Sequence, residues 1–330
     1  MPWDKEKARE WYKSRPWLVG CNYFPASACN PTEMWQADTF DPAGIDRELG
    51  LAEGIGFNTV RTNLQYLAWA ADPAGQKERL DRFLAIATRH GISTMVNFFD
   101  DCCHSWKQPW TGKQDEPRPG VHNSCWTPSP GHALVTDRSG WPGLEKYVGS
   151  LVKRFARDER VLCWDLYNEP GNWDGKEATL PLLEACFAWA RAAGPAQPVT
   201  SGIWHPDMKA INAFLGRESD IVSFHDYNPL EETRRLVEDL AKLGRPLLCT
   251  EYMARTRGSR FETHLPFFKE KRIACYNWGL VNGRTQTQFP WGSPEGAPES
   301  AEWFHEIFRR DGTPYKVAEV ELIRKITGKG

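Results

Sequence analysis

The sequence predicts an α/β fold, a single (β/α)8 TIM barrel with long βα loops spanning residues 1–330. Two observations carry this expectation. Eight short, apolar, β-rich runs alternate with amphipathic stretches of helical length, the pattern of a parallel sheet. The connections are also lopsided, long after strands and short after helices. An open doubly wound sheet fits less well, because no glycine-rich phosphate loop follows any strand.

The elements follow in order. Residues 4–14 read as a leading helix. Strand-like run 18–22 leads through a long connection, 23–42, to a helical segment at 43–55. The turn at Gly54-Ile55-Gly56 is short, and the next strand is 59–63. After connection 64–75, segment 76–90 sets Leu80, Phe83, Leu84 and Ala87 on one face at helical spacing. Run 94–99 opens the longest connection, 100–140, which is dense in Trp, Pro, His and Cys. Helix 141–157, strand 161–167, loop 168–178 and helix 179–193 come next. Strands 198–202, 221–225, 246–251 and 274–278 alternate with helical segments 205–215, 230–243 and 261–271. Loop 280–299 precedes helical stretches near 300–309 and 316–327. No second domain, repeat or low-complexity linker is visible.

Composition excludes several classes. A net charge of −2 argues against a nucleic-acid-binding surface. No apolar run approaches the roughly 20 residues that span a bilayer. The polar N-terminus lacks the apolar stretch of a signal peptide, so the chain as given is expected in the cytoplasm. The 9 cysteines are odd in number, and Cys163, Cys249 and Cys275 fall inside predicted strands. That usage suits a reducing compartment. Several of the 16 tryptophans sit in predicted loops (Trp35, Trp69, Trp106, Trp110, Trp126, Trp173, Trp291). Aromatic faces there suit the C–H faces of sugars, or plug loops onto the barrel.

Glu169 and Glu251 each end a strand-like run. In a (β/α)8 barrel the C-terminal strand ends line the active site. Two carboxylates facing one pocket are the minimum equipment for breaking a glycosidic bond. Around them the chain reads Asn168-Glu169-Pro170 after the fourth strand and Thr250-Glu251-Tyr252 after the seventh. Arg61 follows the second strand, His225-Asp226-Tyr227 the sixth, and Trp278 the eighth. In these marks, residues 17–280 resemble the clan A glycoside hydrolases, closest in motif to the family 5 cellulase-like enzymes.

The resemblance implies a retaining β-glycosidase, with Glu169 as acid/base and Glu251 as nucleophile. It also implies that Asn168 binds the sugar 2-hydroxyl and that Trp278 forms a platform under the sugar. Physical chemistry agrees. Arg61 is expected to hold the Glu251 pKa down, with Tyr227 donating to the same carboxylate. A less polar wall and the charge of Glu251 would keep Glu169 protonated. A retaining pair needs carboxyls about 5–5.5 Å apart. His225 is expected to orient Tyr227 or touch sugar, and Trp35, Trp126 and Trp291 to wall the site.

The departures are specific. The family often carries a histidine at the end of the third strand; this chain reads Phe98-Phe99-Asp100-Asp101, with His104 beyond. Asp100 or Asp101 is expected to take over a hydroxyl contact. Arg255, Gln286 and Gln288 read as subsite polar groups or loop braces. Asp101, Cys102, Cys103, His104, His122 and Cys125 match no familiar zinc spacing, so neither metal nor cofactor is expected. The expected partner is a carbohydrate substrate, cut in exo fashion from oligosaccharides or glycosides. A transglycosylase and a catalytically silent carbohydrate-binding barrel are the alternatives.

Overall fold

The computed structural model describes residues 1–329. A parallel barrel forms its centre. Its strands are β1 (Val19–Asn22), β2 (Thr59–Asn63), β3 (Ser93–Asp100) and β4 (Val161–Asn168). The fifth barrel strand comes in two pieces, β5 (Val199–Thr200) and β6 (Gly202–Ile203). Then come β7 (Val222–His225), β8 (Leu247–Tyr252) and β9 (Ala274–Trp278). Hydrogen bonding runs in the order β5-β4-β3-β2-β1-β9-β8-β7-β6, and the chain closes the circle through Ser201. The protein is a (β/α)8 barrel, and all eight predicted runs are strands.

The break in the fifth strand is local. Val199 of β5 pairs with Trp164 of β4, whereas Gly202 of β6 pairs with Ser223 of β7. Between them the Ser201 hydroxyl donates to the Tyr167 carbonyl at 2.6 Å. Gly202 is required here by close approach. A Cβ at this position would lie 2.9 Å from Nε2 of His225.

The barrel interior changes character along its axis. At the N-terminal end Met95, Cys163, Leu248 and Tyr276 form an apolar plug. Helix Lys5–Lys13 covers it, and its Tyr12 hydroxyl donates to the Arg272 carbonyl at 2.7 Å. At the C-terminal end the filling is polar: Asn22, Arg61, Asn97, Asp165 and Glu251 are all buried. Groups this buried must find partners inside the protein, which sets up the network described below.

The helices bury one stripe each against the outside of the wall. Leu80, Phe83, Leu84 and Ala87 are fully buried on helix Pro73–Arg89, the face expected from spacing. That helix starts at an Asp72-Pro73 step, and the Asp72 side chain accepts from the Gly75 amide at 2.9 Å. Short helices Pro31–Trp35, Tyr66–Ala71 and His132–Thr136 order the long loops.

Residues 300–309 do not form the expected helix. Trp303, Phe304, His305, Ile307 and Phe308 are all buried, so the segment has no solvent face for a surface helix. Instead, its carbonyls satisfy a buried arginine. Arg255 Nη1 donates to the carbonyls of Trp303 (3.1 Å) and His305 (2.6 Å), and Nη2 to that of Glu306 (2.7 Å). Nε and Nη2 also grip Glu319 of the C-terminal helix Val317–Thr327, at 2.9 and 2.7 Å.

This clamp is testable. Removing one partner of a buried ion pair typically costs about 3–5 kcal/mol. Glu319→Ala is expected to lower unfolding free energy by about 3 kcal/mol, measured by urea titration. An unchanged midpoint and slope would show that the clamp contributes nothing.

Candidate active site

The site is built around one cation. Arg61 of β2 is fully buried, and its guanidinium has four short contacts. Nε donates to Asp165 at 2.8 Å and Nη2 to Asn168 Oδ1 at 2.6 Å. Nη1 donates to Asn22 at 2.8 Å and to Glu251 Oε1 at 2.9 Å. Burial opposes the charge on Arg61, but Asp165 and Glu251 outweigh it and hold the guanidinium above its ordinary value.

Glu251 Oε2 accepts from the Tyr227 hydroxyl at 2.8 Å. Glu169 leaves β4 with φ of 43°, a left-handed conformation uncommon for a residue with a side chain. Its Oε2 accepts from Asn172 Nδ2 at 2.6 Å and from the Cys102 thiol at 3.2 Å. His225 bridges the two acids. Its Nδ1 lies 2.8 Å from Glu169 Oε1 and 3.5 Å from Glu251 Oε2. Burial lowers the His225 pKa to about 4, against the pull of Glu251, so the ring is neutral at pH 7. Its Nε2 is buried without a partner among the described residues, which favours the ring proton on Nδ1.

Burial pushes both carboxyls above the usual range. For Glu251 this corrects the expectation from sequence. Desolvation is the largest influence and the neighbouring Glu169 adds to it, and together they outweigh the pull of Arg61, of Tyr227 and of His225 when its ring is protonated. The Arg61 cation is shared between Glu251 and Asp165.

One carboxylate oxygen from each glutamate and a ring nitrogen of His225 lie within 4.8 Å of one another. Arg61 already supplies positive charge to this trio. The other groups on the two acids are a phenol, an amide, an imidazole and a thiol. The set suits proton transfer better than metal binding.

Glu169, Glu251, Asn168, Tyr227, Trp126, Trp278 and Trp291 line one cavity of about 280 Å³. A groove of about 800 Å³ lies beside it, and Cys102, His104, Asn172 and Trp204 border both.

The chain matches the cellulase family, glycosyl hydrolase family 5, over residues 30–283. The chain belongs to glycosyl hydrolase family 5. Solved structures share the fold at low identity. A GH5_18 protein from Streptomyces cattleya in complex with GlcNAc superposes with a TM-score of 0.65 at 14% identity, covering 94% of this chain and 79% of that one. An exo-β-1,4-mannosidase from Opitutaceae bacterium strain TAV5 gives 0.63 at 20%, covering 94% and 60%. An endo-β-1,4-mannanase from Thermotoga petrophila gives 0.58 at 15%, covering 94% and 76%. No curated relative matches the chain in sequence.

This family 5 glycoside hydrolase gathers most of the residues singled out from sequence. Arg61 and His225 stand behind the cavity, in contact with its acids. Three others lie elsewhere. Trp35 is buried in the wall, with Nε1 on the Asn63 carbonyl and its ring against Phe83. Arg255 is the clamp on Glu319, not a subsite group. Asp101 is fully buried and accepts from the Tyr167 hydroxyl, the Gly171 amide and the Thr179 hydroxyl, so it braces the loop after β4. Asp100 is likewise occupied, by Asn168 Nδ2 (2.9 Å), Trp126 Nε1 (2.8 Å) and the Cys102 amide (2.8 Å). Both aspartates are buried and neither lines the cavity, so neither is placed to meet a sugar hydroxyl. Gln286 is a brace between the Gly120 amide and the Arg118 carbonyl.

Sequence reasoning missed Asn172, Trp204, His305 and the role of Cys102. Asn172 stands three residues after Glu169, a spacing that carries a signal in hindsight. His305 lay in a stretch read as helix. Cys102 had been set among zinc candidates, but those residues do not converge. His122 Nδ1 meets the Phe289 carbonyl, and Cys125 faces the Asp115 carbonyl.

The Arg61 hub yields a pH-linked prediction. Arg61→Met leaves Glu251 and Asp165 buried without their cation, and should cost about 3–5 kcal/mol. The Glu251 pKa, already raised by burial, rises further. A carboxyl with a raised folded pKa favours the fold below its unfolded value and loses that contribution as pH rises through the folded one. The variant's deficit against wild type is therefore expected to be larger at pH 8 than at pH 5 in chemical denaturation. An equal deficit at both would refute the linkage.

Proposed function

We propose that this enzyme is a retaining β-glycosidase that releases single sugar units from oligosaccharides or glycosides by double displacement. The observation that carries the reading is the short gap between the Glu169 and Glu251 oxygens, within 4.8 Å. Retaining pairs stand about 5–5.5 Å apart and inverting pairs about 6.5–9.5 Å, and so short a gap between the nearest oxygens favours the retaining class.

The roles follow from the surroundings. Two buried carboxyls this close hold one proton between them more readily than none. Arg61 and Tyr227 stabilise negative charge on Glu251, so the proton belongs on Glu169. Glu251 attacks the anomeric carbon while Glu169 protonates the departing oxygen. Once the glycosyl ester forms, Glu251 carries no charge. Glu169 then gives up its proton more easily and activates water as base. The donors on its Oε2, Asn172 and Cys102, stabilise that ionised form.

Exo action is supported by the size of the cavity, small for a ligand site. Its lining includes Trp291, packed edge-on against Tyr227 (5.0 Å) and Phe304 (4.9 Å). The mannosidases and mannanases among the structural neighbours make β-mannosides the first substrates to try. The described chain contains no helix long and apolar enough to cross a membrane.

The test combines two variants on aryl glycosides. Glu251→Ala should lose turnover with the fold intact, and azide should restore it with inverted product, read by NMR of the anomeric proton. Near-wild-type activity would remove Glu251 from the mechanism. Glu169→Ala should slow substrates with basic leaving groups by about 10²–10⁴-fold, while dinitrophenyl glycosides are spared in the first step. Equal loss on every leaving group would make Glu169 structural.

A further inference from the structure

We propose that Cys29 and Cys125 are a reversible dithiol–disulfide pair, closed by exchange with a small-molecule disulfide, that tethers the loop after β1 to the loop after β3 beside the catalytic cavity. All nine cysteines are free thiols in the structure. These two converge on one backbone oxygen, the Asp115 carbonyl, with Sγ at 3.8 Å for Cys29 and 3.3 Å for Cys125. Their side chains also touch each other. The two loops are already stitched at this point. Asn30 Nδ2, one residue after Cys29, donates to the Cys125 carbonyl and to Gln114 Oε1, both at 2.9 Å. A disulfide forms without large backbone movement only where two side chains already meet, and these do.

The two sulfurs are unequal. The Cys29 thiol stabilises a thiolate on Cys125, with help from Ser124 and Arg284, and holds the Cys125 pKa below its ordinary value. Cys29 is pushed the other way, by Cys125, by burial and by Glu33. Cys125 is therefore the attacking sulfur. Its thiolate attacks one sulfur of the small disulfide, and the other sulfur leaves as a thiolate. Cys29 then gives up its proton, and its sulfur attacks Cys125 Sγ and expels the second small thiolate. Each expelled thiolate takes up a proton. The protein dithiol is oxidised to a disulfide, and the small disulfide is reduced to two thiols.

The neighbouring thiols lack this combination. Cys249 and Cys275 face each other across β8 and β9, but burial raises the pKa of both. Cys102 stands beside Glu169, and burial together with the carboxylates of Asp100 and Glu169 raises its pKa as well.

The position of the bond gives it a consequence. Trp126, the residue after Cys125, lines the catalytic cavity. It packs edge-on against Phe24 of the loop after β1 at 4.7 Å. The disulfide adds a covalent tether to that packing contact, so the redox state sets how firmly this wall is held. Both cysteines are buried while Asp115 is exposed, so the small disulfide enters by displacing the strip that carries Asp115.

The test treats the full chain, first reduced, with oxidised glutathione, and reads intact mass, disulfide-mapped peptides and Tm. The mass should fall by about 2 Da with a linked Cys29–Cys125 peptide pair, and dithiothreitol should reverse the change. Closing a loop of roughly 100 residues should raise Tm by about 5 °C. Cys29→Ser should stop at a glutathione adduct on Cys125, whereas Cys125→Ser should leave Cys29 unmodified over the same time. The alanine variants serve the same purpose where a serine variant fails to fold. No linked pair, a link between other cysteines, or an unchanged Tm overturns the tether. An adduct that forms on Cys29 as readily as on Cys125 overturns the order of attack.

Discussion

One buried guanidinium organises this protein. Arg61 meets no solvent, yet its charge is satisfied by groups from β1, β4 and β8 at once. Removing an arginine from water is unfavourable by several kcal/mol, and only good geometry offsets it. That geometry exists only when the barrel is closed, because Asn22, Asp165, Asn168 and Glu251 come from strands distant in sequence. The hub therefore ties the correct closure of the wall to the correct placement of an acid. It also sets unequal surroundings for two glutamates that are alike in chemistry. Glu251 faces a cation and a phenol, whereas Glu169 faces an amide, a thiol and a neutral imidazole.

A second tier holds the first in place. Asp100 receives Asn168, Trp126 and the Cys102 amide, so one carboxylate fixes a cavity wall, a hub ligand and the thiol beside Glu169. Asp101, its neighbour in sequence, turns the other way and secures the loop carrying Gly171 and Asn172. Adjacent strand residues point to opposite faces, so this pair braces two sides of the site from one strand end. At the position where the sequence departs from the histidine expected by resemblance, an acidic scaffold holds Asn168, Trp126 and the loop after β4.

The eight strands were legible because buried parallel strands read as short apolar runs, and no other periodicity competes in this chain. Glu169, Glu251 and Arg61 were legible because charged residues interrupt or end those runs. The loops were harder. Trp35 and Trp126 both sit in predicted loops, and nothing in the sequence says that one packs on Phe83 and the other faces the cavity. Arg255 reads as a subsite group because it follows the strand that ends in Glu251. Its partner, Glu319, is 64 residues away, a contact that only the folded chain discloses. Segment 300–309 has the composition of a helix, but its carbonyls are claimed by Arg255, and tertiary demand overrode local preference.

The split in the fifth strand has a mechanical consequence. Elsewhere the wall is a ladder of up to six paired positions, but β5 and β6 contribute two each. Local opening is easiest where the ladder is thinnest, so amide hydrogens near Ser201 should exchange with solvent ahead of those in β2 and β3. Trp204 lies three residues after Ser201, and Gly202 beside it packs against the ring of His225. Breathing of the barrel is thereby concentrated where the imidazole between the two acids and the inner wall of the groove are both anchored.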